Sequence, residues 1–162
     1  LEQLTHHDST LFNRSLVQQT QTKELLNATR KMLATAPKPA PFEANRAAAT
    51  ANLLAAWKAG VLLVTGTDAG NPMVFHGPTV QREMELWVEA GIPPTVALQA
   101  ATWNAAKFLG AGNRLGLIQK GFDATLVLID GNPLQDIKAM ESISSVMLKG
   151  ERVNRSELFD QQ

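Results

Sequence analysis

Few side chains in this sequence can do chemistry, and Asp68 is the foremost of them. It sits in Thr65-Gly66-Thr67-Asp68-Ala69-Gly70-Asn71-Pro72, a loop of small residues just after the apolar run Val61-Leu62-Leu63-Val64. A short run of that kind, without polar alternation, has the pattern of a strand buried on both faces, as in a parallel sheet or barrel. Side chains at the C-terminal end of such a strand converge on the mouth of a barrel or the crevice of an open sheet. A carboxylate there can ligate a divalent metal and accept a proton from metal-bound water. Gly66 and Gly70 let the backbone turn tightly on either side. The competing reading is a turn aspartate whose side chain caps local backbone amides.

His76, in Phe75-His76-Gly77 just past the same loop, could line a pocket, bind a metal or hold a substrate oxygen. It could equally be an ordinary polar loop residue. The trio His6-His7-Asp8 is a poor metal site, because adjacent residues of an extended chain point opposite ways. A loose terminus is the simpler account. Cysteine is absent, which removes disulfides, thiolate zinc sites and cysteine nucleophiles together. The common dinucleotide, phosphate-loop, serine-hydrolase and HExxH zinc patterns are absent too.

The elements around Asp68 follow from local pattern. Residues 10–34 carry scattered apolar positions (Leu11, Leu16, Leu25, Leu26, Met32, Leu33) and predict a helix. Three prolines within 37–41 break it. The Ala-rich stretch 43–59 predicts a second helix with Leu53, Leu54 and Trp57 on its apolar face, and Gly60 stands where a left-handed cap belongs. Val80, Met84, Trp87 and Val88 mark a helix over 79–90, with Gly91 as its stop. Another is expected from about Pro94 to Leu109, where Ala97, Ala101 and Ala105 make a smooth ridge for close packing. Beyond Gly110 the pattern turns to β. Short strands are expected at 115–118, 124–129 and 143–148, with turn chemistry at Asp130-Gly131-Asn132-Pro133 and a hairpin tip at Lys149-Gly150-Glu151-Arg152 leading into Val153. A domain boundary is therefore expected near residue 111.

Composition excludes several classes. The 162 residues are 44% hydrophobic and 19% charged, enough apolar material for a core and too little charge for disorder. Fifteen basic and fifteen acidic residues give zero net charge, so no overall electrostatic footprint for nucleic acid exists. A neutral total can still hide a local basic patch, for example around Arg14, Lys23, Arg30 and Lys31. No apolar run reaches membrane-spanning length and no secretory signal pattern is visible, which points to a cytoplasmic location.

Taken in order, the motifs resemble the metal-dependent amidohydrolases. Ala59-Gly60-Val61 into Thr65-Gly66-Thr67-Asp68-Ala69-Gly70 resembles the last barrel strand of that family. His76-Gly77, Glu83-Met84-Glu85-Leu86, Ala97-Leu98-Gln99-Ala100-Ala101-Thr102 and Asn104-Ala105-Ala106 continue the series. Leu115 to Ala124, Asp130-Gly131-Asn132-Pro133-Leu134 and Val146 to Gly150 close it. The flavour is that of the imidazolonepropionase and Xaa-Pro dipeptidase-like branch. The resemblance implies an α/β fold: a (β/α)8 barrel (the TIM barrel) with a small β-sandwich built from both chain ends. It implies hydrolysis of C–N bonds in amides, cyclic amides or peptides, with one or two divalent metals, zinc foremost. On that resemblance Asp68 is the strand-eight aspartate, contacting a metal and carrying the proton from the attacking water to the leaving nitrogen. His76 matches a substrate-lining position and is not a direct metal ligand.

The family's HxH pair, its bridging Lys or Glu and its two later His ligands have no match in this sequence. A full barrel takes about 250 residues. The chain is therefore expected to be the C-terminal part of such an enzyme. Residues 1–110 would be a partial barrel segment with one strand at 61–65, and 111–162 the C-terminal part of the β-sandwich. Alone it is expected to be inactive and to bind no metal. The intact enzyme would take a small amide or peptide, with no nucleic-acid or membrane partner. The rival expectation is a non-catalytic truncated product that self-associates as a homo-oligomer. A departure at Pro93, where the family often has a Thr or Ser cap, predicts a weaker helix start.

Overall fold

The computed structural model describes residues 10–35, 43–71 and 74–159. The His6-His7-Asp8 trio and the proline stretch lie outside these residues. The expected helix over 10–34 is three pieces: a 3-10 turn at Thr10–Asn13, α1 at Ser15–Thr20 and α2 at Lys23–Thr35. Arg14 and Gln21 are extended and bend the chain between them. The reason lies in burial. Those bends gather Leu11, Phe12, Val17, Leu26 and Leu33 into one cluster with Phe75. A straight helix with such irregular apolar spacing could not turn all of them to one side.

Helix α3 (Glu43–Lys58) ends as its glycine predicts. Gly60 holds φ 75°, its amide donates to Trp57 O at 2.9 Å, and the Val61 amide donates to Ala56 O at 3.0 Å. These two bonds satisfy carbonyls that the helix end would otherwise strand.

Over 61–65, where one barrel strand is expected, the segment pairs with no strand among the described residues. Val61 and Leu62 are exposed, while Leu63 and Val64 are half-buried. A strand in a parallel sheet needs neighbours to take its amides and carbonyls. Here helices take them: the Thr65 amide donates to Ala100 O at 3.3 Å, and Asn104 Nδ2 donates to Leu63 O at 2.9 Å.

Helix α4 (Pro78–Glu89) starts on Gly77, at φ 91°, with a proline in its first turn, where a missing N–H costs nothing. The single helix expected over 94–109 is broken into α5 (Pro94–Ala101) and α6 (Trp103–Phe108) at Thr102, whose φ is −127° and ψ −89°. Consequently the buried alanines are Ala97, Ala100 and Ala106, and the expected four-residue ridge does not run through. Gly116 is pressed into this break: a Cβ there would stand 2.8 Å from Trp103 Cα and 2.9 Å from Thr102 O. Residues 115–117 accordingly form bends, not the strand expected over 115–118, because Gly116 holds φ 91°. Pro93 offers no side-chain cap to α5, but its carbonyl accepts from Val96 and Ala97.

The tail carries an antiparallel sheet in the order β1 (Leu126–Ile129), β2 (Ile143–Leu148), β3 (Glu151–Arg152). Leu126 faces Met147, and Leu148 faces Glu151. Lys149 at φ 50° and Gly150 at φ 89° make the two-residue hairpin turn between β2 and β3. A 3-10 turn at Ile137–Glu141 and a final short helix, α7 (Arg155–Phe159), complete the chain. Ile137 is buried with Met84 and Ala97, and Met140, Val80, Trp87 and Val88 pack around them. The tail thus shares a core with α4 and α5. Among the described residues no helix is long and apolar enough to cross a membrane.

Candidate functional site

Asp68 follows the 61–67 segment at φ 53°, in the left-handed region that few residues other than Gly, Asn and Asp adopt. Its carboxylate is exposed. Asn71 Nδ2 donates to Asp68 Oδ2 at 2.7 Å and to Asp68 O at 3.0 Å. Of the two flanking glycines, Gly70 uses its freedom, at φ 108°, and Gly66 does not. The loop then closes on itself through the Gly70 amide to Val74 O at 3.1 Å and the Val74 amide to Asn71 O at 2.9 Å.

Phe75 anchors the far end of the loop. It is buried in the first core, edge-on to Phe12 at 6.2 Å between ring centres. His76, next to it, is exposed, and its carbonyl accepts from Gln21 Nε2 at 3.1 Å. Between α2 and this loop runs a groove of about 420 Å³, lined among others by Leu25, Thr29, Met32, Asn71 and His76. Asp68 and His76 therefore share a loop, and no hydrogen bond joins their side chains. Asn71 links the two places, since it lines the groove and holds Asp68. The groove offers an apolar floor with amide and imidazole groups at its edge, which suits an uncharged substrate portion.

Glu83 is the residue that sequence reasoning passed over. It lies on α4, and both of its carboxylate oxygens stand 3.1 Å from the Gly66 amide, two residues before Asp68. Burial pushes its carboxyl above the ordinary value of 4.5, and the Gly66 hydrogen bond opposes that rise. A signal was present: Glu83 falls inside the stripe marked by Val80, Met84 and Trp87, where a carboxylate needs a partner.

A neighbouring face of α4 carries ion pairs. Arg14 bonds to buried Glu85 and, at 2.6 Å, to Glu141. Arg82 bonds to Glu85 at 3.0 Å and to Glu89 at 2.8 Å. Burial of the Arg82 guanidinium lowers its pKa, but the hydrogen bonds and charges of Glu89 and Glu85 outweigh this and raise it. The network ties the N-terminal segment, α4 and the tail together. It also draws Arg14 out of the basic patch that the sequence suggested, and Arg30 turns over the Phe12 ring at 5.0 Å.

The amidohydrolase family uses divalent metals. Among the described residues, no three His, Cys, Asp or Glu side chains converge where a metal ion could be held. Asp68 by itself is one ligand, half of whose carboxylate is engaged by Asn71. The residues described do not make up a metal centre.

Over 91 residues the chain is 36% identical to ochratoxinase of Aspergillus niger, covering 55% of this chain and 18% of that protein. The structure of a Xaa-Pro dipeptidase with methionine bound in its active site matches 64% of this chain and 25% of its own, at 35% identity and a TM-score of 0.59. Molinate hydrolase matches 66% of this chain and 26% of its own, at 31% identity and a TM-score of 0.62. The chain thus spans well under a third of the length of each of these relatives. The model of the amidohydrolase family matches residues 8–153. With the fold of an amidohydrolase barrel segment, a small antiparallel sheet and that match over most of its length, the chain belongs to the amidohydrolase family.

Proposed function

We propose that this chain is the C-terminal portion of a hydrolase that cleaves a C–N bond in a small amide, cyclic amide or peptide, and that it is inactive alone. Asp68 is the general base: its carboxylate takes a proton from the attacking water as the C–O bond forms. It then delivers that proton to the leaving nitrogen as the C–N bond breaks. His76 and Asn71 line the groove in which the substrate lies. The observation that carries this reading is the placement of Asp68. An exposed carboxylate, in the left-handed region and bonded to Asn71, stands at the end of a segment that bonds to α4, α5 and α6. Family membership supports C–N hydrolysis, and the small share of each relative that is spanned supports inactivity of the isolated chain.

A hydrolase screen on amide and dipeptide substrates with added zinc or manganese tests the proposal, with Asp68→Asn as control. No Asp68-dependent turnover is expected from the chain alone. Turnover lost in Asp68→Asn would overturn the inactivity. If a reading frame with an HxH motif precedes the coding DNA, the longer product should be active. Asp68→Asn should then cost roughly 10²–10⁴-fold in kcat, the usual weight of a general base. An unchanged kcat would refute the role of Asp68.

The exposed apolar residues Val61, Leu62 and Ile118 favour a second reading, a non-catalytic piece that self-associates. Mass in solution separates the two: a dimer supports self-association, and a clean monomer removes it.

A further inference from the structure

We infer that Glu83 is a positioning residue, whose carboxylate takes the Gly66 amide and so fixes the backbone from which Asp68 projects. This rests on the proposed role of Asp68.

The segment from Val61 to Asp68 has no ladder partner among the described residues. Its polar groups still need partners wherever water is excluded. Four are supplied from the helices: Ala56 O to the Val61 amide, Asn104 to Leu63 O, Ala100 O to the Thr65 amide, and Glu83 to the Gly66 amide. The first three are neutral bonds. The fourth goes to a carboxylate, is shared between its two oxygens at 3.1 Å, and is the nearest of the set to Asp68. Two residues on, the chain enters the left-handed region at Asp68, a conformation that a slack backbone would leave. Asn71 grips Asp68 itself, so the carboxylate is bracketed by a hold at Gly66 and a hold at its own oxygens.

Glu83 has no other evident work. Among the described residues no cation pairs with it, for the adjacent Arg82 goes to Glu85 and Glu89. Half-burying an unpaired carboxylate is unfavourable, as the upward displacement of its pKa records. A helix position one turn toward solvent would avoid that. The placement makes sense if the Gly66 amide is its object.

Amide hydrogen exchange and NMR shifts on the whole labelled chain test this, comparing wild type, Glu83→Gln and Glu83→Ala. In Glu83→Ala the Gly66 amide should exchange about tenfold faster or more, the weight of a bond to a charged acceptor. The amide and side-chain carboxyl resonances of Asp68 should shift with it, while Val146 and Met147 in β2 keep their protection. Glu83→Gln retains an acceptor oxygen and should recover most of the effect. Unchanged Gly66 exchange in Glu83→Ala would overturn the inference. So would a loss of protection spread evenly through β2, which marks a merely structural residue, or a Glu83→Gln variant no better than Glu83→Ala. None of these readouts involves turnover. If Asp68 proves not to be the base, the Gly66 result still stands as a statement about the loop; if Gly66 is indifferent to Glu83, the screen on Asp68 is untouched.

Discussion

Asn71 holds Asp68 from within their own loop, donating to Oδ2 at 2.7 Å and to the carbonyl at 3.0 Å while Asp68 stays at φ 53°. The side chain of one residue thus sets both the backbone and the carboxylate of the other. Both groups are exposed, so the energetic value is modest. Asn71→Ala should destabilise the chain by about 1 kcal/mol or less. The informative change is local: the Asp68 amide should become mobile on the nanosecond scale in 15N relaxation. An Asp68 as rigid as in wild type would show that Asn71 is dispensable.

Glu83 sets a pH dependence whose sign follows from burial. Its folded pKa lies above the ordinary 4.5, so in the window between the two values the folded state binds protons more than the unfolded state does. That contribution to stability is full below the ordinary value and is lost as pH rises through the raised folded value. Glu83→Gln has no such loss. The difference in Tm, variant minus wild type, should therefore grow more positive from pH 4 to pH 7 in parallel thermal melts. A flat difference would mean that Glu83 is not perturbed.

Gly116 and Gly121 both hold positive φ, at 91° and 90°, yet only Gly116 is crowded. Gly121→Ala meets open space and should cost about 1 kcal/mol, the conformational penalty alone. Gly116→Ala adds a clash with the backbone at Thr102 and Trp103 and should cost about 2–4 kcal/mol in all. Denaturant melts of the two variants would measure the difference. Equal costs would mean that the α5–α6 break yields easily.

The ion pairs on α4 divide by burial. Arg14→Met leaves buried Glu85 with Arg82 as its remaining cation and should cost about 2–4 kcal/mol, with little dependence on salt. Arg46 pairs with Glu89 at 3.5 Å where both are exposed, and Arg46→Ala should cost below about 1 kcal/mol and less still in high salt. Melts at two ionic strengths check the pair. A large cost for Arg46→Ala would contradict this assignment.

Features governed by near neighbours in the chain were legible beforehand. The Gly60 cap, the Lys149-Gly150 hairpin, the strands near 126 and 143 and the helix over 78–89 each follow from a few adjacent residues, whose backbone preferences act within one turn. The amidohydrolase resemblance was legible too, because it is carried by an ordered series of local motifs, and the family match bears it out. What came only with folding was the fate of groups whose partners lie far along the chain. Val61 to Val64 has the composition of a buried strand, but strand pairing depends on neighbours, and here helices supply the bonds instead. The helix expected over 10–34 bends at Arg14 and Gln21 because burial around Phe75 outweighs helix propensity. Glu83 and Gly66 stand 17 positions apart. Nothing local ties them; their bond exists because packing brings α4 against the segment and leaves one amide there in need of an acceptor.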